Sequence, residues 1–202
     1  MKTSLIALIA AAAFAVPTVA GADPLRTEPA AERSAAVQLA AKPTPAKSGH
    51  VAANGIRYYY EVHAPAAQAT GAPLLLLHGG MGSIDMFAPI LPMLSQKRTV
   101  IGVDLHGHGR TALGERKISL PDMGDDMAAV LKALGFGPVD VLGYSLGAGV
   151  AFRLAVQHPA SVRRLALVSG GFAQDGFHPE LLPMQAQVGA AMAEQMKDTP
   201  MR

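Results

Sequence analysis

Short runs of consecutive apolar residues recur through the middle of this chain. They are Pro73-Leu74-Leu75-Leu76-Leu77, Thr99-Val100-Ile101-Gly102-Val103, Val139-Asp140-Val141-Leu142 and Leu165-Ala166-Leu167-Val168. None alternates with polar residues and none is long enough for a helix, so each predicts a strand buried on both faces, as in a parallel sheet. The stretches between them have a different period. Leu120, Met123, Met127, Val130, Leu131 and Leu134 draw a stripe along one helix, with Ser119 as its N-cap and Gly135 as its stop. Met86, Phe87, Ile90, Leu91 and Leu94 predict another helix behind Ser83 or Asp85, which Pro92 is expected to weaken or kink. Gly149 to His158 is a third helix-like stretch. Ahead of all these, Ile56 to Val62 reads as an early strand on β propensity. Its Tyr58, Tyr59 and Tyr60 must point alternately to opposite faces, so they predict packing and no stacking platform. Strands alternating with helices predict an α/β domain on a mostly parallel sheet with helices on both faces. Active sites of such sheets lie at the carboxyl ends of the strands.

The residues that carry chemistry fall at those ends. Val139–Leu142 runs into Gly143-Tyr144-Ser145-Leu146-Gly147, a G-x-S-x-G between strand and helix. A chain that turns so sharply holds its serine in a strained conformation, with the hydroxyl exposed above the sheet. Gly143 and Gly147 are needed because a Cβ there would collide with the neighbouring strand and helix. His78-Gly79-Gly80-Met81-Gly82 ends the run at Leu77. Asp104-Leu105-His106-Gly107-His108-Gly109-Arg110-Thr111 ends the run at Val103. The pair His106-x-His108 lies in a loop with no third ligand in sight, so no metal site is expected. His158, at the end of the elbow helix, is expected to cap it.

In order and spacing, these three blocks resemble the α/β-hydrolase family, over about Gly49 to Gly171. The family carries HG-x after its third strand, D-x-x-G-x-G-x-[ST] after its fourth and G-x-S-x-G after its fifth. The resemblance implies that Ser145 is a nucleophile attacking a carbonyl, most simply that of an ester, through an acyl-enzyme. It implies an oxyanion hole made by the backbone N–H of Leu146 and that of Gly80 or Met81. It gives His78, Gly79, Asp104, Gly143 and Gly147 structural roles, and it calls for no cofactor. A serine here argues against dehalogenases and epoxide hydrolases, which use an aspartate. Lactonases, amidases, carbon–carbon bond hydrolases and haloperoxidase-like relatives remain open, as does a non-catalytic binding protein on the same scaffold. The family's order is serine, acid, histidine. Asp175 is a candidate acid, while His178 lies too close behind it to serve readily as the base. The acid and histidine are therefore expected beyond Arg202, with the C-terminal strands missing and the 202-residue chain inactive or weakly active. Met184, Val188, Met192 and Met196 draw a stripe in residues 178–202 that either starts a lid or packs on the domain body.

Composition narrows the partners. The chain has no cysteine and a formal charge of +2, so disulfides, thiolate metal sites and a nucleic-acid surface are not expected. Lys2, the apolar Leu5 to Val16 and Ala20-Gly21-Ala22 read as a cleaved export signal over residues 1–22, placing the protein in the periplasm or outside the cell. Its apolar stretch falls short of the roughly 20 residues that span a bilayer, so no stable span is expected after cleavage. Residues 23–48 are Ala, Pro and charged residues with little to bury, which predicts a flexible linker. The folded domain is expected over 49–202, acting on a small acyl substrate.

Overall fold

In the computed structural model the four apolar runs form the centre and one side of a single sheet. Residues 42–171 are described, all within the compact unit Leu39–Arg202. The export segment, most of the expected linker, Asp175, His178 and the methionine stripe lie outside them. The strands are β1 (Lys47–Ala53), β2 (Ile56–His63), β3 (Leu74–Leu77), β4 (Val100–Val103), β5 (Val139–Tyr144) and β6 (Val162–Val168). They lie in the order β1-β2-β4-β3-β5-β6. The four strands from β3 to β6 run parallel, and β2 pairs antiparallel with both β4 and β1. The sheet is thus mixed, with a parallel heart.

Alternation along the strands sorts the core into two layers. Leu75, Leu77, Ile101, Val103, Val139 and Val141 face the helices α2 (Leu120–Ala133) and α3 (Leu146–Gln157), where Met123, Met127, Val130 and Leu154 close the packing. Leu74, Leu76 and Val100 face the other way, against Phe87 and Leu91. Each fully buried leucine of β3 contributes roughly 1.5–3 kcal/mol. The tyrosines alternate as their strand geometry requires, with Tyr58 and Tyr60 in the α2–α3 layer. Ser119 caps α2 through its side chain, and Gly135 follows its end with φ +78°.

Several boundaries differ from the sequence pattern. The stretch 84–94 is split into a 3₁₀ turn, Ile84–Phe87, and a one-turn helix α1, Leu91–Leu94, with Pro92 in its first turn. Proline lacks the N–H a continuous helix would use. Helix α3 begins at Leu146, directly after Ser145, and not at Gly149. The hydrophobic pattern does not predict β1. Its Asn54-Gly55 turn (φ 46° and 84°) closes a hairpin onto β2, and Ala46 N–H continues the ladder to Val62 O. Of residues 42–48, read as linker, Lys47 and Ser48 belong to β1, Ala46 pairs with Val62 and Lys42 bonds Glu61 of β2.

Candidate functional site

Strands β3, β4 and β5 end side by side, and the three motif loops meet there. Ser145 leaves β5 with φ 51° and ψ −114°, a region that L-residues seldom occupy. Its N–H donates to Val168 O at the end of β6 (2.9 Å), and its carbonyl accepts the Ala148 N–H (2.9 Å). These two bonds fix the elbow on both sides. The residue is exposed and its hydroxyl caps nothing. The flanking glycines explain why the turn can be so tight. A Cβ on Gly143 would overlap the backbone of Gly147, and one on Gly147 would overlap the carbonyl of Leu77. Strand β5, helix α3 and strand β3 therefore approach backbone to backbone.

The loop after β3 runs across the elbow. A Cβ placed on Gly79 would lie 3.4 Å from Ser145 Cβ, and one on Gly80 would lie 3.9 Å from Leu146 Cβ. Met81 sits at φ 57°. Among the described residues the backbone N–H groups of Gly80, Met81, Leu146 and Gly147 donate to no backbone carbonyl, whereas Gly82 N–H turns back to Gly79 O at 3.3 Å. Two pairs of unspent donors thus flank the serine. One pair begins a helix of 12 residues, where the dipole adds positive potential.

His78 and Asp104 hold the loops together. His78 is fully buried; its Nδ1–H donates to Gly79 O (2.7 Å) and its Nε2 accepts the Leu105 N–H (2.9 Å). Burial is the main reason its pKa is lowered, against the opposing pull of the Gly79 carbonyl. With both nitrogens spent, it joins the β3 and β4 loops and is not presented to Ser145. Asp104, also fully buried, accepts from the N–H groups of Ile84 (2.8 Å) and Arg110 (2.9 Å) and from the Arg110 guanidinium (2.7 Å). The neighbouring histidines bind carbonyls. His106 Nε2 donates to Leu113 O, and His108 Nδ1 donates to His106 O. His158 is the C-cap of α3, as expected, through its backbone N–H to Leu154 O, while its ring contacts Asp125 of α2 at 2.8 Å. No group of three metal-ligating side chains occurs among the described residues.

Charge networks around these loops were invisible in the sequence. Buried Glu61 meets Lys42, Tyr59, His63 and Arg110. Buried Asp126 meets Asn54, Tyr58 and Arg116. The one available signal was a carboxylate within the largely apolar β2 and another on the apolar face of α2.

The profile of the family described as alpha/beta hydrolase fold matches residues 72–197. The chain is 34% identical over 119 residues to “Putative carbamate hydrolase RutD” of Azorhizobium caulinodans, covering 59% of this chain and 43% of that protein. It spans about two-fifths of the length of the curated relatives it matches. Among solved structures, Est816, an N-acyl homoserine lactone degrading enzyme, superposes with a TM-score of 0.59 at 27% identity, over 69% of this chain and 52% of its own. The epoxide hydrolase CorEH superposes with a TM-score of 0.61 at 27% identity, over 75% and 56%. Matching profile, sheet order and elbow agree, and the chain belongs to the α/β hydrolase fold family.

Proposed function

We propose that this chain carries the nucleophile and oxyanion hole of a serine hydrolase acting on a carboxylic ester or a related acyl substrate. The observation that carries the reading is the elbow. An exposed, uncapped serine is held at φ 51° between two pairs of N–H groups that, among the described residues, donate to no backbone carbonyl. A structural serine has no need of that strain. Hydrolase names recur among the relatives, and the carbamate and lactone named for two of them are acyl compounds. CorEH opens epoxides, but the residue at the elbow here is a serine, which suits acyl transfer.

In the proposed step Ser145 Oγ attacks the substrate carbonyl carbon and its proton passes to a base. The carbonyl oxygen becomes an oxyanion, held by Leu146 N–H and by Gly80 or Met81 N–H. Collapse expels the alcohol, which takes up the proton, and water then releases the acid. Each oriented donor stabilises such an oxyanion by roughly 3–4 kcal/mol. No described histidine bonds to Ser145, which supports a base supplied from outside the described residues.

The test is covalent labelling by a fluorophosphonate of the folded protein together with the segment that supplies its acid and histidine, read by intact mass and peptide mapping. One adduct at Ser145 is expected, and none in Ser145→Ala. A folded protein that includes the acid and histidine yet takes no label, or an adduct that survives Ser145→Ala, overturns the proposal.

A further inference from the structure

The loop that carries Gly80 and Met81 is tied to the rest of the domain at both ends. At its start His78 bonds Gly79 O and Leu105 N–H. At its far end Ile84 N–H donates to Asp104, and Asp85 accepts from the Lys42 ammonium. Lys42 Nζ lies 2.5 Å from Asp85 Oδ1 and 2.6 Å from Glu61 Oε1. It bridges a carboxylate on the loop and a buried one on β2. Arg110 repeats the pattern less closely, at 3.3 Å from Glu61 and 3.6 Å from Asp85. Glu61 thus keeps a cationic partner without Lys42, whereas Asp85 would lose its close one.

The two ends of this bridge differ in weight. The Asp85 side chain is 56% exposed, where an isolated ion pair contributes little. Glu61 is 3% exposed and further oriented by His63 and Tyr59, so Lys42 is anchored on the sheet side by a desolvated partner. An anchored ammonium restrains Asp85 without paying the full entropy of ordering two free side chains. Upstream of Lys47 the backbone is already paired through Ala46, which brings residue 42 to this place.

We infer that Lys42, in the segment ahead of the first strand, is a positioning residue that braces the Gly79–Phe87 loop and so sets the oxyanion donors. The part of the claim about donors rests on the serine-hydrolase reading; the brace itself does not.

The experiment compares the full chain with Lys42→Met, Lys42→Arg, Asp85→Asn and the Lys42→Met/Asp85→Asn double variant. Amide exchange over residues 79–87, read by mass spectrometry, reports the brace. The saturating rate and half-saturation concentration of fluorophosphonate labelling report the donors. Lys42→Met is expected to speed exchange in 79–87 by roughly threefold to tenfold while leaving α2 unchanged. It should slow saturating labelling by a similar factor at unaltered half-saturation, and Lys42→Arg should restore both. In the Asp85→Asn background Lys42→Met should add nothing further. If Lys42→Met fails to fold, Asp85→Asn alone must show the same local signature. Unchanged exchange at 79–87, an equal rise throughout the fold, or no rescue by arginine overturns the brace. Absence of label on a folded wild-type protein that includes the acid and histidine overturns the hydrolase reading instead, and exchange still decides the brace.

Discussion

Ser145 occupies a backbone conformation that costs a side chain of its kind roughly 1–3 kcal/mol. With φ 51° and ψ −114° it suits glycine, which lacks the Cβ that clashes there. The surroundings hold it through the Val168 and Ala148 hydrogen bonds and the crowding of Gly143 and Gly147. Strain kept at Ser145 while glycines stand two positions away on each side, at 143 and 147, indicates that the serine side chain is what the position retains. This yields a stability prediction independent of activity. Ser145→Gly relieves the strain but adds freedom to the unfolded chain, which offsets roughly 0.4–1 kcal/mol. Ser145→Ala keeps the strain and loses only a hydroxyl with no cap partner. Ser145→Gly is therefore expected to unfold at higher urea than Ser145→Ala, by a free energy of about 1 kcal/mol. Equal midpoints, or a lower one for glycine, would show that the elbow is unstrained.

At the scale of elements, the central strands and both long helices were legible because burial on two faces and a 3.6-residue stripe are local patterns. Ser119 and Gly135, the two ends of α2, were legible for the same reason. Strand β1 was not: Lys47-Ser48-Gly49-His50-Val51 has little apolar content, as suits an outer strand. Its signal was the Asn54-Gly55 turn, a hairpin marker that outweighs strand composition. Contacts between loops were illegible for a different cause. Glu61 and Arg110 are 49 residues apart, as only the folded sheet reveals. His78 shows what such contacts do. It latches the β3 loop to the β4 loop only when Nε2 is unprotonated, since that atom accepts the Leu105 N–H. Burial lowers its pKa, so the folded chain binds fewer protons than the unfolded one below the ordinary imidazole value of about 6.5. Its contribution is whole above that pH and is lost as pH falls through the lowered folded value. The His78 ring signal in a proton NMR titration should therefore show a midpoint below about 6.5, with the urea midpoint declining across the same window. A His78 midpoint at or above that value would remove the latch.

At the scale of the whole molecule, the described sheet is unevenly covered. On the β1 side charged and polar residues dominate the outer strand, and the Asn54 turn is tied to α2 through Asp126. On the other side β6, the outermost strand among the described residues, exposes Leu165, Leu167 and Val168 to 37–43% each. Among the described residues one backbone edge of β6 has no partner strand, and an exposed apolar edge of this kind is a template for pairing with another chain. Arg163 and Arg164 precede these residues, but no charge interrupts Leu165 to Val168. Self-association of the 202-residue chain through β6 is the consequence expected in solution. Light scattering should show mass rising with concentration. Leu165→Lys, which places a charge on that strand, should shift the chain toward monomer. Val156→Lys is the control, since it adds the same charge on α3 at a more exposed apolar position, 58% accessible and off the edge. If the two substitutions suppress association equally, net charge is the cause and the edge is not. If neither does, or the chain is monomeric throughout, β6 is not an adhesive edge and its apolar face must be satisfied within the chain.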